Sequence, residues 1–127
     1  MKFIIVNDDR GLGKLWATSM QQAGHTALFF EEPKEFALAA LKDDGICENL
    51  DGILLDRFYG QGFDLGNDGP LLSELRQLTN GARFILFSKM HGDADEPSTL
   101  PTGRFDDILY PLPVNIERLL FKMTNRS

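Results

Sequence analysis

Cysteine is nearly absent: Cys47 is alone among 127 residues. That excludes an internal disulfide, and it excludes a zinc site built on paired thiolates, which needs several Cys or His at short spacing. Cys47 reads instead as a small buried hydrophobe in a protein kept in a reducing compartment. Histidine is almost as scarce. His25 stands at a strand entrance and His91 in a polar loop, and neither has a second ligand at metal spacing or a nucleophile as partner. No run of about 18 apolar residues occurs, which argues against a membrane span, and the chain enters a β-rich run at Lys2, where a signal peptide would need a longer leader. A cytoplasmic protein is expected. Positive charge is also in deficit, 13 Lys and Arg against 19 Asp and Glu for a net charge of −6. This is the wrong balance for nucleic acid, which calls for clustered cations, so neither nucleic acid nor membrane is expected as a partner. An acidic site for a metal ion suits the composition better.

What is present is ordinary for a globular protein: 43% hydrophobic and 25% charged residues, in a length that buries one core. One domain over residues 1–127 is expected, without internal repeats. Lys2 to Asp9, KFIIVNDD, runs from apolar residues straight into acidic ones. Leu12, Leu15, Trp16, Ser19, Met20 and Ala23 then follow helical spacing up to a stop at Gly24. HTALFF, from His25 to Phe30, is a second strand, and Phe36, Ala37, Ala40 and Leu41 mark a second helix that ends near Asp43 to Gly45. DGILLDRFY, from Asp51, contains a third strand whose apolar run ends in Asp56. A glycine-rich loop, Gly60 to Gly69, leads to a third helix carrying Leu71, Leu72, Leu75 and Leu78, with Pro70 tolerated in its first turn. A fourth strand spans Ala82 to Phe87. The stretch from Lys89 to Gly103 holds two prolines and two glycines and few apolar residues, so it reads as loop where a fourth helix would stand. A fifth strand, Phe105 to Tyr110, and a last helix, Ile116 to Met123 capped by Asn115, complete the chain. Strands alternating with crossover helices specify an α/β fold, a doubly wound five-stranded parallel sheet covered on both faces.

The chemistry lies at the strand ends. A carboxylate at the carboxyl end of a buried strand is where open α/β sheets place their ligands; the competing reading is that Asp56 merely opens a turn. If the first and third strands are neighbours, Asp8, Asp9 and Asp56 converge on one edge, and carboxylates so close repel unless a hard cation sits between them. Gly11-Leu12-Gly13-Lys14 offers a weaker signal. A P-loop needs an earlier glycine and a Ser or Thr after the lysine, but Asp8 and Leu15 stand there. The two glycines read better as letting a loop pass close to the acidic pocket.

Together, Asn7-Asp8-Asp9, Asp56, Ser88 and Pro111-Leu112-Pro113 resemble the strand ends of the receiver domain of two-component response regulators, and the resemblance covers essentially the whole chain. It implies a flavodoxin-like sheet of order 2-1-3-4-5 and a phosphoprotein that is not an enzyme. Asp56 would be the phosphoacceptor and Ser88 would hydrogen-bond a phosphoryl oxygen. Mg²⁺ would be held by Asp8, Asp9, Asp56 and the Phe58 carbonyl, with Asn7 acting through a bound water. Such chemistry is sound in itself, since a carboxylate attacking a phosphoryl group needs the charge of both offset, and backbone amides and a hydroxyl can steady the transferred group.

Three departures from the family pattern stand out. The usual lysine after the fifth strand is missing, Leu112 or Pro111 occupying its place according to alignment; Lys89 either reaches the site instead or is simply solvated. The first acidic position is Asn7. The loop after Asp56 is longer than the family's and lacks its Met-Pro. Tyr110 is the nearest aromatic to the usual switch position, or only a packing residue at the strand end, and Asp106 and Asp107 read as a solvated edge. Two functions are therefore carried forward. In one, a stand-alone receiver takes a phosphoryl group on Asp56 from a sensor histidine kinase or phosphotransfer protein and acts through protein contacts. In the other, it is a pseudo-receiver, an interaction module independent of phosphorylation.

Overall fold

The computed structural model describes residues 1–56, 58–59, 63–64, 69–79, 81–87, 107–109 and 121. Its main sheet is built from β1 (Lys2–Val6), β2 (Thr26–Phe30), β3 (Gly52–Asp56), then, beyond a small pair β4 (Phe58–Tyr59) and β5 (Phe63–Asp64), from β6 (Arg83–Phe87) and β7 (Asp107–Leu109). The strands lie in the order β2-β1-β3-β6-β7, every neighbouring pair parallel. Counting only the strands of this sheet, that is the 2-1-3-4-5 arrangement. The α-helices described over their length are α1 (Arg10–Gln22), α2 (Pro33–Lys42) and α3 (Gly69–Thr79), with a 3-10 turn at Asp44–Ile46 after α2.

Strand alternation divides the core in two. Ile4, Val6, Ile53, Leu55 and Phe84 turn to one face and pack with Phe36, Ala37 and Ala40 of α2 and Leu71, Leu72 and Leu75 of α3. Phe3, Ile5, Leu54 and Ile85 turn to the other and meet Trp16, Ala17 and Met20 of α1. Because both faces are covered, β3 is buried along its whole length, which is why its sequence is a continuous apolar run rather than an alternating one.

The helical stripes are narrower than the apolar spacing suggested. On α1 the buried positions are Gly13, Trp16, Ala17 and Met20, and on α2 they are Pro33, Phe36, Ala37 and Ala40. Leu15 and Leu41, expected among the inward residues, are 58% and 63% exposed, because each falls about one helical step off a stripe only some 100° wide. Gly11 and Gly13 belong to α1 itself, not to a loop. Gly13 serves packing: a Cβ there would run into the Phe29 ring, whose Cδ1 would be 2.7 Å away, whereas at Gly11 the nearest atom, Asp9 Oδ1, would be at an ordinary 3.6 Å. Gly13→Ala should therefore destabilise by about 1–3 kcal/mol, while Gly11→Ala should stabilise by up to about 1 kcal/mol through helix propensity. Urea unfolding of both variants measures the contrast, and equal midpoints would refute the packing role.

Gly24 ends α1 as the sequence leads one to expect. It sits at φ +93°, its N–H donating to Gln21 O and the His25 N–H to Met20 O, both at 3.0 Å, the double hydrogen bond of a Schellman stop. At the opposite edge of the sheet from the acidic strand ends, Asp51 ties three strands together. Its Oδ2 accepts from Lys2 N at 2.8 Å, its N–H donates to Lys2 O and its carbonyl accepts from Arg83 N, each at 2.9 Å. Cys47 is half-buried rather than buried; it packs against the α2 and α3 side of the core and lines a cavity of about 230 Å³ with Ala40, Asp44, Glu48 and Leu78. Burial pushes its thiol pKa up, with Lys2 opposing, so it is a poor nucleophile near neutrality.

One further expectation is corrected. The stretch expected as glycine-rich loop is entered by an antiparallel pair, Phe58 opposite Asp64 and Tyr59 opposite Phe63, because aromatic β-formers flank Gly60-Gln61-Gly62, a three-residue hairpin signal. Asp107 is the first residue of β7, paired with Ile85, within the range expected for the fifth strand; a parallel pair is made through the backbone, and an acidic side chain is tolerated at a strand end. The expected loop over 89–103 lies outside the described residues. Of the expected last helix Phe121 alone is described, helical and 65% exposed. Among the described residues no helix is long and apolar enough to cross a membrane.

Candidate functional site

The register of β1 against β3 sets the site. Ile5 pairs with Leu54 and Val6 with Leu55, so the next rung brings Asn7 beside Asp56. Asn7 stays in the sheet at this point, its N–H donating to Phe30 O at 3.0 Å. By alternation from Ile5 and Leu54, both Asn7 and Asp56 lie on the α1 side. Both are buried, Asn7 at 0% and Asp56 at 1% exposure, which is unusual for these residue types outside functional positions. Across the other flank Asp56 pairs with Phe87; Ser88, one residue beyond, lies outside the described residues, as do Lys89, Tyr110 and Leu112.

The chain then turns from strand to helix through three polar residues. Asn7 Oδ1 accepts from Asp9 N–H at 2.9 Å, an Asx turn. Asp9 is the N-cap of α1, its Oδ1 accepting from Leu12 N–H at 3.1 Å, so one of the orphan amides of the helix start is satisfied and a negative charge is placed where the helix dipole favours it. Asp8, between them, is exposed at the same sheet edge. Sequence reasoning took Asp9 as a metal ligand and missed its cap, although an Asp immediately ahead of an apolar-periodic run is the ordinary sign of one. Among the described residues no three His, Cys, Asp or Glu side chains form a group arranged to hold a metal ion.

At the rim, Arg10 makes an exposed ion pair with Glu31 from the end of β2. The hydrogen bond to Glu31 and that residue's charge raise the Arg10 pKa further, so the guanidinium stays charged at any working pH. His25 plays no part in the site. Its Nδ1 lies 3.1 Å from the N-terminal ammonium, and its ring meets Phe3 edge-on at 5.5 Å.

Chemically, the edge offers one buried carboxylate at the end of a central strand, Asp56, and one exposed carboxylate at the same edge, Asp8. These are hard oxygen donors. They fit a small hard cation that keeps much of its water and takes only one or two carboxylates from the protein.

No protein-family model and no curated protein sequence matches the chain. Solved structures do. A two-component response regulator from Clostridium difficile matches at a TM-score of 0.69 and 20% identity over 96% of this chain and 91% of its own. The response regulator TrrA from Thermotoga maritima, in complex with Mg²⁺ and beryllofluoride, matches at 0.65 and 20% identity over 95% and 94%. A response regulator from Burkholderia pseudomallei, carrying a phosphorylated aspartic acid and a calcium ion, matches at 0.68 and 17% identity over 98% of this chain and 66% of its own. The fold is that of response-regulator receiver domains.

Proposed function

We propose that the protein is a receiver-type signalling domain that accepts a phosphoryl group on Asp56. The observation that carries this reading is the burial of Asp56 at the carboxyl end of the central strand, beside Asn7 and close to Asp8, in a fold shared with proteins solved with a phosphorylated aspartate or its beryllofluoride mimic. The donor is a sensor histidine kinase or phosphotransfer protein, the place the cytoplasm, and the output a protein contact rather than turnover of a small substrate.

In the transfer an Asp56 carboxylate oxygen attacks the phosphorus of a phosphohistidine. The P–N bond breaks, the leaving imidazole takes up a proton, and an acyl phosphate remains on Asp56. Asp8, Asp56 and the Phe58 carbonyl would hold Mg²⁺, with Asp9 engaged at the helix cap; the ion's part is to offset the charge that carboxylate and phosphoryl group bring together. Ser88 would donate its hydroxyl to a phosphoryl oxygen.

The pseudo-receiver reading is favoured by one feature, the apolar or proline residue at 111–112 where a cation would pair with the phosphoryl group. A charge-assisted hydrogen bond of that kind is worth about 1.5–3 kcal/mol, so its absence should weaken the conformational response more than the transfer itself. Intact-mass spectrometry with Mg²⁺ and acetyl phosphate separates the two readings. Gain of one phosphoryl group by the wild type and none by Asp56→Asn supports the phosphoacceptor; no gain, together with no spectral change on adding beryllofluoride, moves the assignment to the pseudo-receiver.

A further inference from the structure

The geometry points to Asn7 as the positioning residue of the phosphoryl pocket: by accepting from the Asp9 N–H it closes the turn that sets Asp8 at the rim and Asp9 on α1, while adding no charge beside Asp56. This rests on the phosphoacceptor reading of Asp56 and assigns Asn7 a different task from holding a metal-bound water.

Four observations converge on it. Asn7 is wholly buried, although its side chain carries two donors and an acceptor. Its Oδ1 is engaged locally, 2.9 Å from Asp9 N, and Asp9 Oδ1 passes the constraint on to Leu12 N, so residues 7, 9 and 12 form one chain of hydrogen bonds from the end of β1 into the first turn of α1. Asp8, between Asn7 and Asp9 in this turn, is exposed at the same sheet edge. Finally, β1–β3 register and alternation set Asn7 next to the buried Asp56 on the same face.

The residue type follows from these constraints together. Asp at position 7 would accept the same hydrogen bond but would put a second buried carboxylate against Asp56, and like charges at that distance disfavour each other's ionised form. Leu or Ala would spare the charge and lose the turn. Asn supplies the acceptor without the charge, and more strongly than a Ser or Thr hydroxyl would. A pocket built this way depends less on a bound cation for its integrity than one lined by an acidic pair.

The test compares wild type, Asn7→Ala and Asn7→Asp in amide hydrogen exchange without metal and in Mn²⁺ titration followed by NMR. Asn7→Ala should speed exchange of the Asp9 and Leu12 amides and weaken Mn²⁺ binding by roughly fivefold to tenfold, about what one lost hydrogen bond carries. Asn7→Asp should keep both amides protected, melt lower than wild type without metal, and bind Mn²⁺ at least as tightly as wild type. Should Asn7→Ala not fold, Asn7→Ser takes its place, its hydroxyl accepting the same N–H more weakly and giving intermediate exchange. Unchanged exchange in Asn7→Ala overturns the turn-closing role. Faster exchange with unchanged Mn²⁺ affinity overturns the positioning role, leaving a helix cap only. A wild type that binds no Mn²⁺ and takes no phosphoryl group instead removes the phosphoacceptor reading, and the pocket role with it.

Discussion

Saturating Mg²⁺ should raise the melting temperature of the wild-type protein and leave that of Asp56→Asn nearly unmoved. A ligand that binds only the folded state stabilises it by RT ln(1 + [L]/Kd), about 2.7 kcal/mol at a concentration near 100 Kd, which for a domain of this size is roughly 10 °C. The dependence on Asp56 arises because only the folded chain brings its carboxylate to the same sheet edge as Asp8, and a lone carboxylate in the unfolded chain holds Mg²⁺ weakly. Asp8→Ala should behave like Asp56→Asn toward Mg²⁺, since Asp8 is the second carboxylate of the proposed set. The same variants separate binding from transfer: Asp56→Asn removes the nucleophile and should abolish the phosphoryl mass gain outright, whereas Asp8→Ala keeps the nucleophile and should slow the gain. A thermal shift with Mg²⁺ that survives in both variants would place the ion elsewhere and sink the metal assignment.

Trp16→Ala is the second large effect. Trp16 is 1% exposed and is among the largest fully buried side chains, packed with Phe3, Ile5, Met20, Leu54 and Ile85 between α1 and the sheet. Truncation leaves a cavity that close-packed neighbours fill only in part, at a cost of about 3–5 kcal/mol. Against a total stability of about 5–15 kcal/mol this is a large share, and the variant should unfold at much lower urea with little change in the slope of the transition. Trp16→Phe, which keeps most of the volume, should recover more than half of the loss. Equal stability of Trp16→Ala and wild type would mean that the α1 side of the core is not packed as described. Because Trp16 is the only tryptophan, Trp16→Phe is also the fluorescence blank for any titration.

Most of the fold was legible because its signals are local. Runs such as FIIV, GILLD and RFILF cannot bury themselves except as strands covered on both faces, and the Gly24 stop needs only an αL residue after an apolar-periodic run. The departures arose where position in three dimensions overrides composition. Leu15 and Leu41 are as apolar as the residues around them, yet they lie off the stripe that faces the sheet. Gly13 looked like a loop glycine until Phe29, from a strand sixteen residues away, closed on it. The β4–β5 pair was masked by the glycines that connect it.

For the site the division is sharper. By itself the sequence determined that acidic residues end the first and third strands and that the chain is α/β, since each of these is a matter of residue type and order. Only the tertiary structure decided which of those residues are neighbours and how each polar atom is used. Register sets Asn7, rather than Asp8 or Asp9, on the rung beside Asp56; the start of α1 uses Asp9 as its cap; and Asn7 Oδ1 accepts from the Asp9 N–H in the turn between strand and helix. The physical reason is that a side-chain oxygen has more than one possible partner, and which one it takes is settled by distances across strands that are far apart in the chain, on a length scale that the spacing of residues along a sequence does not record.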